Sequence, residues 1–345
     1  MTGQQDRFTL GRFRAADAQE FAGVVVDDTV VRLDVLTARR PGRVGVPDID
    51  GLFAEWGEQI EALAERVAVL RDRGSAGVAA DAVHQRAELR VLPPVRPAQV
   101  FQSGANYRAH VIDLLMAQQV DSRPGETEAG RRARAEATMD ERAATGEPYV
   151  FVGLPGAICG PDDDVVLPAA GSQHDWELEL AAVIGRPARH VPRHDALSFV
   201  AGYTIVNDIT TRDRVFRPDI PGIGTDWLAS KNAPTFLPTG PYLVPAAFIP
   251  DPMMLRIRLW LNGETMQDGC TADMVFDVAR LLEYTSSLVE LRPGDLLLTG
   301  SPAGNGVHHR RFLRPGDVME GEITELGKQR NQCVAELPAA ALSYP

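Results

Sequence analysis

The stretch His174-Asp175-Trp176-Glu177-Leu178-Glu179-Leu180-Ala181-Ala182-Val183-Ile184-Gly185 decides how the chain is read. Acidic and bulky apolar residues alternate through its first half, and an apolar run closed by Gly185 and Pro187 follows. This pattern predicts a strand whose far half is buried. Residues two apart on a strand share a face and stand roughly 6.8 Å apart, so Glu177 and Glu179 can converge on one point in front of the sheet. Two unpaired carboxylates there repel each other, and a cation relieves them. Oxygen-only ligands suit a hard ion, Mg²⁺, Mn²⁺ or Ca²⁺, better than Zn²⁺. Alternating charge is equally the pattern of a half-solvated strand, with Trp176, Leu178 and Leu180 covering the core, so the pair alone leaves both readings open.

A second stretch favours the metal. Gly202-Tyr203-Thr204-Ile205-Val206-Asn207-Asp208-Ile209-Thr210-Thr211-Arg212-Asp213 runs from an apolar strand into a polar cluster and places Asp208 near a strand end. A third carboxylate there completes one face of an octahedral site and leaves the remaining positions to water and substrate. Asp175 lies on the same face as the ligands. His174, three residues before Glu177, turns to the opposite face and is not read as a ligand.

The strings WELELAAVIG at 176–185, GYTIVNDITTRD at 202–213, LRPGDLLLTGSPAGNG at 291–306 and NYRAHVID at 106–113 closely resemble the fumarylacetoacetate hydrolase family. They occur in the family's order, over roughly residues 90 to 335. The resemblance implies an α+β, β-rich fold in which a mixed sheet rolls around the metal pocket, and a homodimer. It also implies substrate contacts from Tyr107, Arg212 and the loop Thr299-Gly300-Ser301, where Ser301 stands in place of the usual Thr.

The chain of 345 residues exceeds the usual size of a single core. A small N-terminal α/β domain over 1–95 and a metal-dependent domain over 96–345 are expected, with Leu92-Pro93-Pro94-Val95-Arg96-Pro97 as the break. Strands are predicted at Phe8–Phe13, Glu20–Val26 and Thr29–Leu33, then a helix from Ile49 to Arg73 whose Leu52, Trp56, Ile60, Leu63, Val67 and Leu70 form one apolar stripe. The net charge of −12, without a stripe of Lys and Arg among aromatics, argues against nucleic acid. No run approaches a membrane span and the first residues lack a secretion signal, so a cytoplasmic protein is expected. Cys159, Cys270 and Cys333, odd in number and without a C-x-x-C, fit reduced and buried thiols.

His110 and Asp113 stand at i, i+3 and come side by side if Tyr107 to Met116 is helical. A carboxylate beside an imidazole is the arrangement of a general base for water, although such pairs also decorate helix surfaces. In the family the corresponding His and an acidic residue, usually Glu, activate water; Asp113 is one methylene shorter. Lys231 is a candidate cation facing the metal, and the family places a lysine there to polarise a substrate carbonyl. Residues 114–147, poor in large apolar side chains, are read as a helical lid or a surface insertion. His190, His194, His308 and His309 are read as surface residues.

Two positions depart from the family. Gly153 stands where Lys is usual, and Val215, seven residues after Asp208, where Gln is frequent. Their loss points to a larger or more apolar diketone or keto acid. The expected activity is hydrolysis of a C–C bond next to a carbonyl in a diketone or 2,4-diketo acid, dependent on Mg²⁺ or alternatively Mn²⁺ or Ca²⁺. Decarboxylation or tautomerisation of a β-keto acid at the same site is the alternative, and a metal-binding homologue without turnover a third.

Overall fold

In the computed structural model, which describes residues 7–38, 45–74, 78–118, 125–220, 222 and 224–337, the apolar run becomes the strand Leu178–Ile184. All of its residues are buried, and it lies inside a six-stranded mixed sheet. From edge to edge the order is Val244–Pro245, Val200–Asn207, Leu178–Ile184, Leu296–Leu298, Val100–Gly104 and Tyr149–Gly153. A strand covered on both faces needs apolar side chains at every position, which is why Leu180 to Ile184 lack the polar alternation of an exposed sheet. Leu178 pairs antiparallel with Asn207. That register brings Asp208, one residue past its strand, level with Glu177, whose carbonyl accepts the Asp208 N–H at 2.8 Å.

A second sheet runs Glu264–Cys270, Arg256–Leu261, Val318–Ile323, Gly327–Ala335 and Val165–Leu167. It approaches the first where Leu178 enters the space over Gly321: a Cβ there would stand 2.6 Å from a Leu178 methyl. Trp176, Leu178, Ile257, Leu259 and Met319 fill the volume between them. The fold is thus α+β and β-rich, with several sheets around one large core and two smaller apolar clusters beside it.

The N-terminal sheet is antiparallel, in the order Val83–Gln85, Thr29–Arg32, Glu20–Val26, Thr9–Arg14, Arg90–Leu92. Its tight turn at Asp27-Asp28 puts Asp27 at φ 53°, a conformation that Asp tolerates better than most residues. The helix expected from Ile49 to Arg73 divides into a 3₁₀ turn, Ile49–Glu55, and an α-helix, Trp56–Arg73. Asp48 starts it by accepting the Ile49 N–H, and Leu52, Ile60, Leu63 and Val67 are buried. The N-terminal and central sheets share apolar contacts: Phe8 meets Phe248 edge-on at 5.1 Å, and Leu10 exchanges two backbone hydrogen bonds with Leu243.

After Val100–Gly104 the chain enters the helix Arg108–Gln118 and then Glu128–Thr145, which Thr127 caps by accepting the Gly130 N–H at 3.1 Å. The two helices meet through the small cluster Ile112, Ala135 and Met139, with Arg108 paired to Asp140 at 2.8 Å. The segment read as a lid or insertion is therefore mostly a helix laid on its predecessor, while residues 119–124 fall outside the described residues. No helix among the described residues is long and apolar enough to cross a membrane. The three cysteines are free, Cys159 and Cys333 buried and Cys270 only half-buried, because its strand runs along a sheet edge.

Candidate functional site

Three carboxylates meet in front of the central sheet. Glu177, Glu179 and Asp208, all buried, each offer an oxygen within 4.8 Å of the others. Glu177 lies just ahead of the strand Leu178–Ile184 rather than within it, yet it still shares a face with Glu179. Each carboxylate has its own support. Glu179 accepts the Gly300 N–H at 2.7 Å. Gly300 takes φ +86°, open to glycine at no cost, and a Cβ there would crowd Asn106 and the Ser103 carbonyl at 3.1 Å. Asp208 accepts the Gln102 side-chain amide at 2.6 Å. Glu177 accepts Thr210 Oγ1 at 3.2 Å and Arg212 Nη2 at 2.5 Å.

Lys231 enters from the short helix Trp227–Lys231, whose start Asp226 caps by accepting the Ala229 N–H at 3.0 Å. Its ammonium donates to Glu177 at 2.7 Å and also to Asp208, and it lies 5.8 Å and 5.9 Å from the ring centres of Phe151 and Trp227. Those rings stack at 4.4 Å and form an apolar wall on that side.

The charges do not balance within the protein. Four buried carboxylates, Asp175, Glu177, Glu179 and Asp208, face two cations, the buried Lys231 and the half-buried Arg212. For Glu177, burial would raise the pKa, but Arg212 and Lys231 outweigh it and hold the group below the usual range. Burial, with Lys231 only partly opposing it, pushes Asp208 up to about 6. Glu179 is pushed well above its ordinary value by burial and by the charges of Asp208 and Glu177. One divalent ion would match the two uncompensated charges, and three carboxylate oxygens are the donor set of a hard cation. The residues fit such an ion.

Asp175 and Arg212 form a tie behind the triad. Arg212 Nε donates to Asp175 at 2.8 Å, and Asp175 accepts the backbone N–H groups of Gly306 and Val307 at 2.5 Å and 3.2 Å. Arg212, expected from the resemblance to meet substrate, is thus engaged with two carboxylates. Thr299 Oγ1 donates to the Leu180 carbonyl at 2.9 Å, and Ser301 Oγ accepts the Gln267 amide at 2.8 Å. Tyr107 is fully buried, and burial drives its phenol pKa well up.

The expected pairing of His110 with Asp113 is not formed. His110 is buried at 6% exposure, while Asp113 has a 41% exposed side chain, stands 3.8 Å from Arg132 and makes no hydrogen bond to His110 among the described residues. Three residues of helix turn through about 300°, so the two side chains diverge by about 60°, enough to put one inside and the other at the rim. Burial lowers the His110 pKa to about 3, with Glu177 pulling the other way, and the ring is neutral. His308, read from sequence as a surface residue, packs instead against His110 with ring centres 5.2 Å apart.

Sequence reasoning missed two residues of the site. Gln102 fills the space above Gly153, where a Cβ would come within 2.7 Å of its Oε1. A glutamine in the middle of a buried strand was the available signal. His308 had none, since it follows a Gly-rich turn without periodicity. Val215 is buried beside the Arg212–Arg214 turn.

The profile described as fumarylacetoacetate (FAA) hydrolase C-terminal matches residues 99–334. A 2,4-didehydro-3-deoxy-L-rhamnonate hydrolase of Sphingomonas sp. (strain SKA58) is 43% identical over 189 residues, covering 54% of this chain and 65% of the relative. A mitochondrial oxaloacetate tautomerase of Homo sapiens is 42% identical over 190 residues, 54% of this chain and 59% of the relative. The match spans less than two thirds of either relative. Maleylpyruvate hydrolase from Sphingobium sp. SYK-6, solved with manganese(II) ion and pyruvate, superposes with a TM-score of 0.67 at 26% identity, covering 95% of this chain and 100% of that one.

Proposed function

The chain belongs to the fumarylacetoacetate hydrolase family, and on that premise we propose that it is a divalent-metal-dependent hydrolase that cleaves the C–C bond beside a carbonyl in a 2,4-diketo acid or related diketone. The observation that carries this reading is the buried triad Glu177, Glu179 and Asp208, whose oxygens lie within 4.8 Å of one another with the Lys231 ammonium bonded to Glu177 and Asp208. A hard cation and a fixed ammonium at one carbonyl make its carbon open to attack by water.

Glu177, Glu179 and Asp208 would hold a hard divalent ion, Mg²⁺ or Mn²⁺ by the chemistry of their oxygen donors. When bound, the ion polarises keto oxygens and stabilises negative charge on them. Lys231 stays protonated, since Asp208 and Glu177 outweigh the effect of its burial, and supplies a further positive charge to the carbonyl. His110 takes a proton from water as the water oxygen adds to the carbonyl carbon. The C–C bond then breaks, its electron pair leaves on the departing carbon as an enolate, and His110 returns the proton there. The products are a carboxylic acid and a ketone or keto acid. Phe151 and Trp227 face the pocket beside Lys231 and favour a substrate with an apolar arm.

Tautomerisation is the second reading, supported by the 42% identity to an oxaloacetate tautomerase. It needs proton transfer without added water. Incubating the protein and Mn²⁺ with acylpyruvates and with oxaloacetate, and identifying products by NMR, separates the two: a carboxylic acid plus pyruvate supports hydrolysis, whereas enol–keto exchange without cleavage replaces it with tautomerisation.

A further inference from the structure

His110 faces a residue that no spacing in the sequence pairs with it. His308, on the helical turn Gly306–His309, places its ring at 75° to that of His110. Nδ1 of His110 and both ring nitrogens of His308 are shut off from solvent and have no hydrogen-bond partner among the described residues. A buried polar atom left unpaired is costly, so three in one place mark a site rather than packing. The turn is held firmly. Besides the two N–H groups on Asp175, Arg311 N–H donates to the Gly306 carbonyl at 3.0 Å, and His309 Nε2 stands 3.2 Å from the Met266 carbonyl. A Cβ at Gly306 would lie 2.7 Å from Asp175 Oδ1, so glycine is what lets that carboxylate reach the turn.

We propose that His308 is the positioning residue of His110: a ring nitrogen of His308 accepts Nδ1–H of His110 and fixes the tautomer whose Nε2 lone pair takes the proton of water. The inference rests on the water-activating role assigned to His110 above. A neutral imidazole carries one donor and one acceptor, and the hydrogen bond made by one nitrogen decides where the proton sits. The ring separation allows such a bond after rotation of the His308 ring. The charged and titratable groups around His308 are Asp113, Asp175, Arg212, His309 and His110, and around His110 they are Glu177, Arg212, Lys231 and His308. Burial lowers the pKa of His308, and Asp113 is the largest charge opposing it. During the reaction His110 gains a proton at Nε2 and gives it to the departing carbon, while His308 neither gains nor loses one.

The tautomer is read directly by long-range ¹H–¹⁵N correlation on the ¹⁵N-labelled full chain. His110 is expected as Nδ1–H in the wild type, losing that state in His308→Phe and keeping it in His308→Gln, which retains an acceptor. In turnover, His308→Phe should lower kcat about 10- to 100-fold with KM and Mn²⁺ affinity little changed, and His308→Gln should recover most of it. An Nε2–H tautomer in the wild type overturns the proposal. So does a His308→Phe variant with unchanged tautomer and kcat, or one whose kcat loss is matched by lost Mn²⁺ affinity, or a Gln variant as impaired as Phe. Because the tautomer needs no substrate, a protein inactive on diketo acids would count against the hydrolase reading without touching this one.

Discussion

At one end of the pocket Glu177, Glu179 and Asp208 each have a bonded partner before any ligand arrives, while at the other His110 and His308 hold three enclosed nitrogens with none. The carboxylate end stands on the two longest strands of the central sheet and is tied by Lys231, Arg212, Gln102 and the Gly300 N–H. At the imidazole end His110 stands on the helix Arg108–Gln118, covered by Ile112, Ala135 and Met139, and His308 on the turn Gly306–His309. The contrast teaches that this chain pairs the groups that hold charge and leaves unpaired the nitrogens of its two facing imidazoles.

The largest effect should come from breaking the fixed end. Glu179→Gln removes the carboxylate with no cation bonded to it and is expected to lower kcat roughly 10³-fold, about 4 kcal/mol, together with Mn²⁺ binding measured by calorimetry. His110→Ala should cost roughly 10²- to 10⁴-fold in kcat yet leave Mn²⁺ binding intact. If both variants lost metal equally, the two ends would not be separate. Gln102→Leu should weaken Mn²⁺ by about 10-fold through Asp208, which loses its amide donor. Gly153→Ala should act in the same direction and less, because its Cβ pushes on Gln102 Oε1.

Acidity sharpens the same contrast. The pKa of Asp208 is raised from its ordinary value to about 6 in the metal-free fold, so the folded state favours its protonated form. The stability it contributes is present below the unfolded value and is lost as pH rises through about 6. Bound metal acts the other way, since it needs the ionised carboxylate. The gain in Tm on adding Mn²⁺ should therefore be greater at neutral pH than at acid pH. His110, held at about 3, stays neutral throughout that range.

The difference between the two ends also explains what could be read from sequence. Glu177 and Glu179 were legible because strand alternation is local, and Asp208 because an apolar strand running into polar residues marks its own end. Lys231 was singled out by the resemblance to the family, not by its spacing, and the short helix that carries it, capped by Asp226, emerges only in the fold. His308 reaches His110 across nearly two hundred residues with no periodic pattern around it, and its burial follows from the Asp175 contact at Gly306, which only the fold creates. Asp113 misled because i, i+3 spacing places two side chains near each other without deciding which of them faces inward. The glycine at 153 read as a lost side chain, whereas the neighbouring strand fills that space with Gln102.

The most direct test is to strip the protein with chelator, titrate it with Mn²⁺, and follow bound metal and acylpyruvate cleavage in the same samples. Binding of a single ion per chain, with cleavage to pyruvate and a carboxylic acid rising in proportion to occupancy, is the predicted result. Cleavage that proceeds equally in the stripped protein, or no ion bound at the Glu177, Glu179 and Asp208 cluster, would contradict it.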